Sequence, residues 1–335
     1  MKHPVYLIEQ GSKVSRQGRR LLITKDGETL ERLATLQVSQ VVIFGDIQVT
    51  TPAIQLLLQE GIEVVFLSQK GRFYGRLVGE FAGNSPLRVA QAVASQDEGF
   101  ALRLAGQFVR GKLHNMKVFL QRYARRRDDA SARVAAEEID RLTHGIGAAA
   151  TTQSLMGIEG RATAVYFSAW PRLLKSPWAF TKRQRRPPPD PVNALISFAY
   201  TLLAQNVSGA LMTVGLDPYV GFLHRLEYNR PSLTLDMVEE FRPLVADSVA
   251  LRCLNNEILT PAHFRQGRER PSELTTEGLR LFIREFERHL TRKFRHASSG
   301  DQIHFRRLFQ LQAYDLARAI KDRNIGCLYT PYQVR

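Results

Sequence analysis

The sequence predicts an α+β protein, with a small β-rich N-terminal domain over residues 1–90 and a larger all-helical catalytic domain over residues 95–335. Two observations carry this reading. Short β-branched and aromatic runs bounded by Gly, Asp or Lys-Gly turns fill the first ninety residues, whereas from about residue 95 apolar residues recur three and four apart. A chain of 335 residues is also long enough for two domains, each with its own core.

The strands are "VYLIE", "RLLITKD", "QVVIF", "IEVVFLS" and "RFYGRLVGEF". One helix interrupts them in "VTTPAIQLLLQEG", where Thr51 can cap, Pro52 sits at the first helical position and Gly61 stops the helix. The helical part opens with "GFALRLAGQFVRGKLHNMKVFLQRYARRR" and continues over 129–143, 150–169, 191–213, 234–251, 274–292 and 302–322. Proline-dense "RQRRPPPDP" and the polar stretch "HASSGDQ" read as loops.

With 44% apolar and 24% charged residues, the composition is that of a globular protein. Lys plus Arg number 47 against 32 for Asp plus Glu, and the resulting charge of +15 points to a polyanionic partner, most commonly nucleic acid. Residues 1–90 carry 11 basic and 8 acidic side chains, so most of the excess lies in the helical part. Candidate phosphate contacts are Arg110, Lys112, Lys117, Arg122, Arg125, Arg126 and Arg127, interleaved with Phe119 and Tyr123, and Lys182, Arg183, Arg185 and Arg186. For the run at 122–127 the plainer alternative is a solvated helix end.

Cys253 and Cys327 lack CxxC spacing and read as small buried apolar side chains in a reduced compartment. No run approaches the eighteen or so apolar residues of a membrane span, and "MKHPVYLIEQG" is too short for a signal peptide, so a cytoplasmic protein without a membrane partner is expected. Walker-type loops, GxSxG elbows and HExxH motifs are absent.

The chemistry concentrates in "GLDPYVGFLHRLEYNRPSLTLDMVEEFRP". Asp217-Pro218 is a helix-start signal, predicting a short helix over 218–224 that ends near His224. A second helix starts near Ser232 or Thr234 and sets Asp236, Glu239 and Glu240 on one face. A lone histidine at a helix end usually just packs, and acidic residues in a first turn usually complement the helix dipole. A divalent site needs a third ligand, and Glu159 in "QSLMGIEGRATAVYF" is the best candidate, because a carboxylate on an apolar helix side must meet a cation. Pairing with Arg161 or another arginine is the alternative, and from the residues alone both stay open. Basic segments nearby, with Arg225, Arg230 and Arg242 flanking the site, favour phosphodiester chemistry.

"LMGIEG" followed by "YF", then "DPVNALISFAYTLL", "GLDPYVGFLH" and "RPSLTLDMVEEFRP", resembles the CRISPR-associated endonuclease and integrase of the spacer-adaptation complex, the first of the numbered Cas proteins. The motifs are ordered and specific over roughly residues 150–250, and the architecture agrees along the whole chain. The resemblance implies metal ligands at Glu159, His224 and Glu239, with Asp236 and Arg242 beside them, either behind the ligands or near DNA. It implies Mg²⁺ or Mn²⁺ and a homodimer formed through the N-terminal β domains. It also implies a small ferredoxin-like partner subunit, and insertion of a captured prespacer duplex into a repeat array by attack of a DNA 3′-hydroxyl. The competing readings are a metal-dependent nuclease acting on branched or damaged DNA, and a basic DNA-binding scaffold without catalysis.

Overall fold

The computed structural model describes residues 2–79, 84–185, 187–224, 226–267, 270–296, 299–323 and 329–334, and falls into two compact units, Met1–Phe81 and Ala82–Arg335. The expected boundary at residue 90 falls inside a helix of the second unit, Ser85–Gln96, for which the sequence analysis predicts no element. That helix buries only Leu87, Gln91 and Ala94, too sparse an apolar stripe to read as periodic.

The first unit contains β1 (His3–Leu7), β2 (Lys13–Gln17), β3 (Arg20–Lys25), β4 (Glu28–Ala34), β5 (Val38–Phe44), β6 (Gln48–Val49), α1 (Thr51–Gln59), β7 (Glu63–Leu67) and β8 (Phe73–Leu77). One sheet has the order β1-β5-β7-β8, parallel except for β8, and the other has the order β4-β3-β2-β6. Val5, Leu7, Val41, Ile43 and Val64 from the first sheet meet Val14, Leu21 and Ile23 from the second, with Leu56 and Leu57 of α1, in a single core. Strands β2 and β4 escaped the sequence reading because they are mostly polar; β4 exposes its first five residues.

The second unit is helical: α2 (Ser85–Gln96), α3 (Glu98–Arg127), α4 (Ala130–His144), α5 (Thr152–Ser168), α6 (Trp170–Leu173), α7 (Pro191–Val214), α8 (Ser232–Val238), α9 (Ser248–Asn255), α10 (Thr276–Thr291) and α11 (Phe305–Asp322). It is not all-helical, since β9 (Phe264–Gly267) pairs with β10 (Arg270–Leu274), and β11 (Phe294–Arg295) with β12 (Gln302–Ile303). The predicted helix over 218–224 does not form. Asp217 instead closes a turn by accepting from Tyr219 N at 2.8 Å, and the chain crosses to α8 in an irregular loop.

Helix α7 is long and apolar enough to cross a bilayer, but most of it is buried against α11, α8, α9 and β10, which accounts for its apolarity. Asp190 caps it by accepting from Asn193 N at 2.8 Å. Cys253 is buried, and burial pushes its thiol up to about 12; Cys327 lies outside the described residues.

Residues 329–334 fold back onto α3. Asn115 donates to Tyr332 O (2.7 Å) and to Glu240 O (2.8 Å) and accepts from Val334 N (3.0 Å). Gly111 leaves room for this segment, because a Cβ there would stand 2.5 Å from Pro331 Cβ and 3.1 Å from Glu240 Cβ. Gly111→Ala is expected to lower unfolding free energy by about 1–3 kcal/mol and to speed hydrogen exchange at the Tyr332 and Val334 amides. Unchanged protection there would show that the segment is held elsewhere.

Candidate active site

Helix α3 carries a ridge of side chains four apart, Phe108, Lys112, Met116 and Leu120, and all four are buried. Lys112 is therefore the one charged residue on an otherwise apolar ridge. Its side chain is 1% exposed, and its ammonium meets Glu159 of α5 and, at 2.6 Å, Oε2 of Glu239 just beyond α8. Expected as a phosphate contact, Lys112 instead sits inside the site, because its helical phase points it into the core.

Each carboxylate has further partners. Thr163, one turn beyond Glu159, donates to Glu159 Oε1 at 2.8 Å, and Arg242 Nη1 lies 2.9 Å from Glu239 Oε1. The alternative partner for Glu159, Arg161, is engaged by Glu138 at 2.9 Å. Burial acts to raise the Glu239 carboxyl, but the charges of Arg242, Lys112 and His224 overcome it and hold the group down at about 2. Glu239 Oε2 receives the ammonium without a well-aligned hydrogen bond.

Asp236, fully buried, holds the loop that carries His224. Its Oδ2 accepts from Phe222 N (2.6 Å) and Leu223 N (3.0 Å), and its Oδ1 from His224 N (2.9 Å) and His224 Nδ1 (2.7 Å). The carboxylate acceptor fixes a proton on Nδ1 and leaves Nε2 as the ring nitrogen that could ligate a metal. Gly221 permits the close approach, since a Cβ there would stand 2.7 Å from the Ser232 backbone and 2.9 Å from Asp236 Oδ2. The predicted single acidic face does not exist. Asp236, Glu239 and Glu240 diverge, the last accepting from Tyr332 N at 2.7 Å, and burial raises Glu240 well above the usual carboxylate range.

After Glu240 the chain enters a π-helical turn, Arg242–Asp247. The wider turn presents both of its end residues to Tyr200 on α7: the Arg242 guanidinium stacks 4.7 Å from the ring centroid, and the hydroxyl donates to Asp247 Oδ1 at 2.9 Å. Tyr166 of α5 donates to Asp247 Oδ2 at 3.0 Å. Burial pushes Asp247 up to about 6, against the lowering effect of Tyr200, Tyr166, Arg242 and Arg183. The sequence reading missed this carboxylate and both tyrosines, although an Asp in an apolar run was a visible signal.

The structure thus brings Glu159 and Glu239 onto one ammonium, with His224 in electrostatic reach of Glu239. Among the described residues, no three His, Cys, Asp or Glu side chains already form a metal-sized group. Two carboxylates and an imidazole nevertheless form a donor set suited to Mg²⁺ or Mn²⁺, and the bound ammonium marks where positive charge is held. A cavity of about 910 Å³ lined by Phe119, Arg122, His289, Phe305 and Tyr332 contains none of the three side chains.

Of the other proposed DNA contacts, Arg122, Arg125, Arg126, Lys182 and Arg185 are exposed. Arg110 is half-buried beside Gln107, and Lys117 pairs with Asp140 at 2.7 Å. Arg183 is a correction: it bonds Asn193 Oδ1 (2.9 Å) and Ser197 Oγ (3.0 Å) and stacks over Tyr200, so it anchors its loop to α7. Arg186, Arg225 and the side chain of Arg127 lie outside the described residues.

The profile of the family "CRISPR associated protein Cas1" matches residues 5–288. The chain belongs to the Cas1 family. A Thermus thermophilus relative, "CRISPR-associated endonuclease Cas1 3", is 38% identical over 99% of this chain and 97% of its own length. The solved structure of a Cas1 protein from Thermotoga maritima superposes with a TM-score of 0.83 at 27% identity, over 95% of this chain and 97% of that one. A casposase bound to integration product shares the fold, with a TM-score of 0.86 at 21% identity over 100% of this chain and 96% of the other. So does a chain of a Cas6–reverse transcriptase–Cas1–Cas2 complex, with a TM-score of 0.84 at 24% identity; all of this Cas1 chain is covered, but only 36% of that one.

The Asp247 shift has a checkable sign. Its folded value, about 6, lies above the ordinary carboxyl value of 3.8, so this group favours folding below pH 3.8 and loses that contribution as pH rises through 6. Asp247→Asn, which cannot ionise, should gain on the wild type by up to ~3 kcal/mol between pH 4 and 7 in denaturant titrations. A constant difference across that range would mean that Asp247 is ionised at no cost.

Proposed function

We propose that this Cas1 protein is a divalent-metal-dependent DNA endonuclease and integrase that inserts captured fragments into a repeat array by attack of a DNA 3′-hydroxyl on a repeat-end phosphodiester. The observation that carries the reading is the convergence of Glu159 and Glu239 on one buried positive charge, next to a histidine whose ring Asp236 orients. Membership of a family with relatives named endonucleases, and a shared fold with a casposase caught on its integration product, support it.

Glu159, His224 and Glu239 would hold Mg²⁺ or Mn²⁺. When bound, the metal neutralises charge on the phosphate and favours the deprotonated attacking oxygen. Asp236 holds the His224 ring through Nδ1, Arg242 pins one oxygen of Glu239, and Thr163 pins Glu159. These contacts fix the ligands before substrate arrives, so little reorganisation remains at the moment of reaction. Bonds broken and made in strand transfer are nearly equal in energy, so the nucleophile held in line decides between joining and hydrolysis.

A homodimer formed through the N-terminal unit is part of the proposal, because that unit exposes Leu30, Leu36 and Tyr74. A Cas2-type partner subunit is inferred from the composition of the complex that shares this fold. A cytoplasmic location suits such DNA.

With the partner subunit and Mn²⁺, a short duplex with free 3′-hydroxyls should become covalently joined to a supercoiled plasmid carrying the repeats. Dideoxy-terminated ends should stop joining but not binding, and Glu159→Gln, His224→Ala or Glu239→Gln should lower joining at least ~100-fold. Identical products from blocked and free ends would leave hydrolysis as the activity and replace this reading with the nuclease one.

Binding should fall log-linearly with salt. Charge reversal of the exposed pairs Arg125 with Arg126, or Lys182 with Arg185, should weaken binding to all sequences and flatten the salt slope by about two. A pair whose reversal leaves both affinity and slope intact is a solvated face.

A further inference from the structure

We propose that Lys112 is the resident cation of the active site: its ammonium holds Glu159 and Glu239 together in the metal-free protein, and a divalent ion enters by displacing it. The proposal rests on the metal reading above and deepens it, because it assigns a role to a residue outside the ligand set.

Three observations carry it. Lys112 is as buried as the core residues of its ridge, and a buried ammonium is tolerated only where negative charge surrounds it. Its contacts are two of the three carboxylate and imidazole groups that would bind metal, reached from different helices. Finally, Arg242 covers only the Oε1 side of Glu239, and Thr163 gives Glu159 a hydroxyl but no charge, so without Lys112 Glu159 would lose its contacting cation and the Oε2 side of Glu239 would lose its own.

An ammonium and a divalent ion cannot share this position, since their repulsion at contact range in a buried setting is far too large. The four-carbon stem of lysine can swing the head group aside, which a planar, bidentate arginine does less readily. Monovalent ions offer no more charge than the ammonium they would replace. Displacement therefore selects divalent cations.

The test uses the full-length protein without DNA, with Mn²⁺ binding followed by electron paramagnetic resonance and thermal unfolding followed in EDTA and in saturating Mn²⁺. Lys112→Met should bind Mn²⁺ about tenfold or more tightly than wild type. It should unfold ~3 °C or more lower in EDTA, and recover most of that loss in Mn²⁺. A side chain that merely fills space would lower both unfolding temperatures alike and leave metal affinity unchanged, and that outcome overturns the proposal. Lys112→Arg keeps the charge and should bind Mn²⁺ no more tightly than wild type, so tighter binding by this variant also overturns it, whether or not Lys112→Met folds. Glu159→Gln separates the two levels. Mn²⁺ binding indifferent to Glu159→Gln removes the metal reading and this one with it. Binding that requires Glu159 but is unmoved by Lys112→Met removes only the displacement.

Discussion

The candidate active site is organised around one buried ammonium, that of Lys112. Glu159, partly exposed on α5, and Glu239, buried just beyond α8, would repel each other, and the charge that reconciles them comes from a third helix. Everything around this contact then follows in order. Arg242 completes the compensation of Glu239, the π-helical turn places Arg242, and Tyr200 supports that turn through a ring face and a hydroxyl. The site is a chain of charge neutralisation running from α3 to α7, with the nucleic-acid chemistry at one end.

Much of the fold was legible because its periodicities are strong. Helices α3, α4, α5, α7, α10 and α11 follow their apolar spacing to within a few residues, and so do the buried strands β1, β3, β5 and β7. What escaped were elements whose stability comes from neighbours: the polar strands β2 and β4, and the sparse stripe of α2. The supposed helix over 218–224 failed because Asp236 satisfies the backbone of Phe222, Leu223 and His224 better than a helical turn would.

The site was legible in part. Glu159, His224 and Glu239 lie in motifs that stand out, yet Lys112 was assigned to the DNA surface because it sits in a run of seven basic residues. Its helical phase contradicted that assignment: four residues from Phe108 and four from Met116, it had to point inward. Position within a helix outranks membership of a charge cluster. The same rule separates Arg183, tied down by Asn193 and Ser197, from its exposed neighbours Lys182 and Arg185. Tyr166, Tyr200 and Asp247 come together only in three dimensions, and no local spacing announces them.

The clasp between Asn115 and residues 332 and 334 joins positions more than two hundred apart in sequence. That separation bears on the order of events during synthesis. Asn115 and Glu240 both leave the ribosome well before the segment that ties them together, so the nascent chain has its ligands long before it has the brace behind them. The candidate site therefore goes without this brace until residues 332 and 334 have been synthesised and have docked on Asn115 and Glu240.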